Sequence, residues 1–234
     1  MRSQPADITG ALAEQDVTGT QQRLDQRSEV DATLDVDRVQ LAALADRHAT
    51  LPMAARTYGQ TATPTSFGAV AASWGWPLLD HAQDMARVRD AVLRVSLSGA
   101  AGTLSAMGPQ GPAVRAGLAR ALDLSDPGHG WHSDRSGLGR LADWAAAVAV
   151  ALAKLAEDLL LMTQSGLALV RIEGGGASST MPQKANPVAA EALVTLARLN
   201  AGDLGGMHQA LVHAQERDGT ALGLEWNILP LMLE

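Results

Sequence analysis

The segment EGGGASSTMPQKANP, residues 173–187, concentrates the groups most capable of chemistry. Its three consecutive glycines, followed by Ala177, Ser178 and Ser179, form a strip whose backbone N–H groups can turn toward a ligand. Lys184 and Asn186 lie within nine residues of Ser178, and Pro187 suits the opening turn of a helix. Hydroxyls, free amides, an ammonium, a carboxamide and a helix N-terminus all stabilise negative charge on oxygen. The segment therefore suits a carboxylate, an enolate or a phosphate. A Gly/Ser-rich linker between helices is the plainer reading of the same residues, and the residues alone leave both open. The spacing excludes a P-loop, because no G-x-x-x-x-G-K-[ST] is present.

The elements that must position this loop are helical. Upstream, the pattern predicts a helix over 138–165 with a stripe of Trp144, Val148, Leu152, Leu155, Leu159 and Met162. Its first half is apolar nearly all round, as in the centre of a bundle or at an oligomer interface. Downstream, a helix is predicted over 188–211, then a polar stretch and a short apolar end, 224–234. Earlier helices are predicted over 39–48, 77–97 and 112–122. Residues 51–68, with two Pro, two Gly and several Thr and Ser, read as an irregular loop. So do 98–111, rich in small residues and turns, and the stretch DLSDPGHGWHSDRSG, 123–137. Residues 1–37 are polar and read as a poorly packed lead-in, leaving 38–234 as the bundle domain.

Composition agrees. Of 234 residues 47% are hydrophobic but only 3% aromatic, with 43 Ala and 33 Leu. Both residues are at ease in helices, so an all-α fold with a long central helical bundle is expected. The chain has no Cys, which excludes disulfides, thiolate metal sites and a cysteine nucleophile. A net charge of −7 argues against a nucleic-acid surface. The longest apolar run, 144–152, is too short to span a bilayer, and no secretory signal is visible. A cytoplasmic protein with neither a nucleic-acid nor a membrane partner is expected.

The stretch G-x-SSTMPQKANP resembles the signature loop of the fumarase/aspartase superfamily, with Ala177 where that pattern has Gly. RTYGQTATPTSFG (56–68) and LSGAAGTLSAMG (97–108) resemble two further segments of the superfamily. GWHSDRSGLGRLADW (130–144) and MHQALVHAQERDGTALGLEW (207–226) are most similar to its 3-carboxy-cis,cis-muconate cycloisomerase branch. The resemblance covers about residues 38–234.

It implies addition or elimination across a C–C bond beside a carboxylate. In the cycloisomerase branch the substrate's own carboxylate closes on a diene to a γ-lactone, a step of aromatic (protocatechuate) catabolism. On this resemblance Ser178 is the general base, or the donor in the addition direction, and Ser179 lies beside it at the substrate. Lys184 and Asn186 hold the substrate carboxylate and the developing enolate. Arg56, Thr57 and Gln60 donate to carboxylates, though Arg56 also suits an ordinary helix-end ion pair. Tyr58 stands where many members carry His, which removes one acid. His132, beside Trp131 and near Arg135, is the candidate replacement, with Arg135 at the substrate. His208 and His213 read as structural. No cofactor and no metal is expected; the partners implied are a small carboxylate substrate and further copies of the chain in a homotetramer. The superfamily's H-x-G-x-T-S-x-D segment and its C-terminal helical domain are not found here, so a fragment or a degenerate paralogue is expected. The rivals to a cycloisomerase are an adenylosuccinate- or argininosuccinate-type lyase releasing fumarate, and a non-catalytic assembly subunit.

Overall fold

The computed structural model describes residues 39–234 except 173–175, 178–179 and 182–183. The expected lead-in, 1–37, lies outside the described residues. The order is a helix α1 over 39–47, strands β1 (Pro52–Thr57) and β2 (Gln60–Ser66), and helix α2 (Phe67–Val92). A 3₁₀ segment (Ser105–Gln110), α3 (Gly111–Ala121) and α4 (Ser136–Met162) follow. Two-residue strands β3 (Gly176–Ala177) and β4 (Ala185–Asn186) then lead to α5 (Val188–Ala210) and α6 (Gly219–Leu233). The fold is the expected all-α bundle, trimmed by two small antiparallel hairpins.

Helices α2, α4, α5 and α6 alternate in direction. Trp74 and Trp144 donate their indole N–H groups to Asp158 Oδ2 (2.7 Å) and the His81 carbonyl (2.9 Å), which sets α2 antiparallel to α4. His208 against Asp143 and Arg198 against Glu157, both 2.8 Å, set α5 antiparallel to α4. The Asn200 amide donates to the Met232 carbonyl, and Gly206 faces Ile228, so α6 returns along α5. Ala142, Ala146, Met207, Ala210 and Met232 form the core at one end; Ala156, Ala190 and Val194 form it at the other.

Four expectations need correcting. On α4 the residues fully buried are Gly137, Gly139, Ala142, Ala146, Ala151 and Ala156, not the predicted stripe, whose members are only half-buried. Small residues let neighbouring helices approach closely: a Cβ on Gly137 would lie 2.3 Å from the Ala91 carbonyl oxygen of α2. The supposed loop 51–68 is instead the hairpin β1–β2, closed by Tyr58 and Gly59 at φ +51° and +73°, the backbone of a type I′ turn. Helix α2 starts ten residues before Pro77, where the Ser66 hydroxyl accepts from the Ala69 N–H at 3.1 Å. Pro77 is tolerated inside it because it lies on the exposed side, where the Ser73 carbonyl it leaves unpaired can meet water. Finally, the apolar end is joined by only the last residues of the polar stretch in one helix, α6, capped by Asp218, while 212–218 stays a loop.

Candidate active site

The site residues named from sequence fall into three groups. In the hairpin, Arg56 and Thr57 end β1, Tyr58 is the fully exposed tip and Gln60 opens β2, opposite Thr57. All four side chains are exposed, clustered by the tight turn.

The signature segment forms the second group. Gly176 pairs with Asn186 and Ala177 with Ala185, so β3 and β4 pair antiparallel just before the N-terminus of α5. Pro187 is the residue capping α5 there. A Cβ on Gly176 would meet Val188 at 2.8 Å, so β3 lies close against the helix start. Lys184 is exposed, forms no ion pair among the described residues, and donates its backbone N–H to the Met181 carbonyl at 2.9 Å. Asn186 is half-buried. Ser178 and Ser179 lie outside the described residues.

The third group lies on loops. Trp131 donates its indole N–H to the Val95 carbonyl at 2.9 Å. His132 Nε2 stands 3.1 Å from the Gly99 carbonyl and 3.3 Å from Arg217 Nη2. One nitrogen cannot donate to the carbonyl and accept from the guanidinium at once. The tautomer therefore decides whether His132 presents a proton or a lone pair there. Arg135 has a different role. Its guanidinium lies 4.5 Å over the Trp131 ring and grips the Glu225 carboxylate at 2.7 and 2.5 Å. Glu225 is only 2% exposed, so the pair is shielded and the Arg135 charge is neutralised within the chain.

Arg217 and Glu225 were not singled out from sequence, although both stand in the stretch 207–226. The readable sign was Asp218, whose carboxylate N-caps α6 through the N–H groups of Thr220 and Ala221 and reaches back to that of Ala214. Those bonds, Ala214 first, hold its carboxyl below the usual range, and they fix the turn from which Arg217 projects. Asp134, two residues after His132, is likewise held low by the Ser136 hydroxyl and N–H at the start of α4.

Antiparallel packing places these groups at two ends. The hairpin base and the signature segment belong to the starts of α2 and α5, beside the C-terminal end of α4. His132, Arg135 and Arg217 belong to the opposite end, where α4 and α6 begin. With 27 residues at 1.5 Å rise, α4 holds them about 40 Å apart. Among the described residues no hydrogen bond or ion pair joins the groups, and no cluster of His, Asp and Glu could hold a metal ion.

Comparison with known proteins follows this geometry. The pattern of a family described as lyase matches residues 6–200. The chain belongs to the lyase family of the fumarase/aspartase superfamily. It is 37% identical over 193 residues to the 3-carboxy-cis,cis-muconate cycloisomerase of Pseudomonas aeruginosa, covering 81% of this chain and 42% of the relative. It is 30% identical over 222 residues to the N-acetyl-S-(2-succino)cysteine lyase of Dickeya dadantii, covering 92% and 49%. The crystal structure of the 3-carboxy-cis,cis-muconate lactonizing enzyme from Pseudomonas putida superposes with a TM-score of 0.83 at 31% identity, over 91% of this chain and 47% of that one. The chain thus spans less than half the length of these superfamily relatives.

Proposed function

We propose that the chain serves in an intramolecular lyase of the cycloisomerase type, closing 3-carboxy-cis,cis-muconate or a close tricarboxylate to a γ-lactone in aromatic catabolism. The observation that carries this reading is the signature segment, where the β3–β4 pairing sets Lys184 and Asn186 at the opening of α5. There an ammonium, a carboxamide and the helix N-terminus all favour a carboxylate and the enolate charge that develops beside it. Ser178 exchanges the proton at the carbon next to that carboxylate, its alkoxide stabilised by these groups. Arg56, Thr57 and Gln60 receive further carboxylates at the exposed hairpin. Arg217 supplies the cation of the third group, because Arg135 is already held by Glu225, and His132 returns to the Ser178 alkoxide the one proton that ring closure consumes.

Groups about 40 Å apart along a bundle act on one small substrate only if opposite ends of neighbouring copies meet. The proposed species is the homotetramer that the superfamily resemblance implies, with sites that draw segments from more than one subunit. No described helix is long and apolar enough to cross a membrane, which accords with a cytoplasmic location. Similarity to a cysteine-adduct lyase favours one rival, β-elimination releasing fumarate.

Ser178→Ala tests the chemistry. Loss of muconate absorbance by the parent chain without fumarate formation, and a fall of about 10²-fold or more in the variant, supports the proposal. Fumarate release points to the lyase, and full activity in the variant removes Ser178 as base. No turnover of either substrate class favours a non-catalytic assembly subunit.

A further inference from the structure

We infer that Glu225 is a positioning residue whose task is to hold the loop that presents His132. Glu225 lies on the inward face of α6 with Ala221 and Met232, all three buried. A carboxylate in such surroundings costs desolvation, and the attraction of its partner does little more than offset that cost. A well-packed apolar pair would hold α6 to its neighbours as firmly. What an apolar pair cannot supply is direction.

The two oxygens of Glu225 engage Nε and Nη2 of Arg135, fixing the plane of the guanidinium. That plane lies over the Trp131 ring, and Trp131 is pinned at its other edge to the Val95 carbonyl. His132 follows Trp131 directly, so its ring meets Gly99 and Arg217 only while Trp131 keeps this pose. Helix α6 thus reaches the loop twice. Asp218 fixes the turn that carries Arg217 to the imidazole, and Glu225 fixes the Trp131–Arg135 stack that precedes and follows His132 in the loop. The catalytic value of this arrangement rests on His132 serving the proposed reaction; the positioning itself does not.

Trp131, Trp74 and Trp144 each have a bonded indole N–H, and the last two report on the α2–α4 packing alone. In the full chain, Glu225→Gln should raise the hydrogen-exchange rate of the Trp131 indole about tenfold or more. The Trp74 and Trp144 indoles should keep their rates, and the ring nitrogen shifts of His132 should move toward those of a free imidazole. Arg135→Lys, which keeps the charge and loses the fork, should give the same pattern more weakly and stands in should Glu225→Gln fail to fold. The double variant Glu225→Gln/Arg135→Gln should be no worse than the worse single one, since both act through one contact. Equal acceleration of all three indoles would make Glu225 a general support of the fold and overturn the inference, as would an unmoved Trp131. In the activity assay kcat should fall with KM nearly unchanged. If the parent chain turns over no muconate, the proposed function fails while the indole rates still decide the positioning role.

Discussion

Arg135 and Arg217 approach the same imidazole loop, and their partners separate their roles. Arg135 meets a buried carboxylate, whereas Arg217 meets a carbonyl and a ring nitrogen, leaving its charge for an incoming anion. Sequence spacing could not divide them, because Arg135 and Glu225 come together from positions 90 apart. Asp218 is the opposite case: a residue before a helix, bonded to N–H groups two and three positions on, reads locally. Its folded pKa is depressed, so its contribution to stability is present above the unfolded value of about 3.9 and is lost as pH falls through the lower folded value. Asp218→Ala should therefore lower the urea midpoint at pH 7, with the gap to the parent chain narrowing below about pH 4. A gap that stays constant with pH in urea titrations would refute an ionised cap.

At the scale of elements, legibility followed amphipathicity. Helices α4 and α5 announced themselves by long apolar runs, and their bounds in the structure fall within a few residues of those predicted. The β1–β2 hairpin did not, because neither face of this two-stranded ribbon is deeply buried and no apolar alternation marks it. Its only sign was Tyr58-Gly59, a pair able to adopt positive φ in succession. Pro77 misled because it occurs inside α2, where a proline reads as a boundary. The identity of the buried face of α4 was hidden for another reason, since alanine fits surface and core alike. Close approach at Gly137 has a measurable consequence. Gly137→Ala should destabilise the fold by about 1–3 kcal/mol through its clash with the Ala91 carbonyl. Gly117→Ala, within α3 and near only the end of Arg120, should gain about 0.5–1 kcal/mol. Equal effects in chemical denaturation would contradict the described α2–α4 contact.

For the whole molecule, the small residues inside displace large apolar ones outward. Val150 and Leu161 on α4 and Leu196 and Leu199 on α5 are each more than half exposed. Such surface suits contact with another chain, which is where the proposed homotetramer would use it. Leu196→Glu with Leu199→Glu should convert the parent assembly to smaller species in sedimentation at micromolar concentration, while the far-ultraviolet helix signal persists. An unchanged sedimentation coefficient would place the contact elsewhere. The alternating bundle also changes what damage to one chain means. With hairpin base and signature segment at one end and the His132 loop at the other, a fault at either end leaves the opposite end intact. In an assembly whose sites borrow from several copies, two differently broken chains would lend each other their sound ends. Dominance and complementation between alleles then become properties of helix direction.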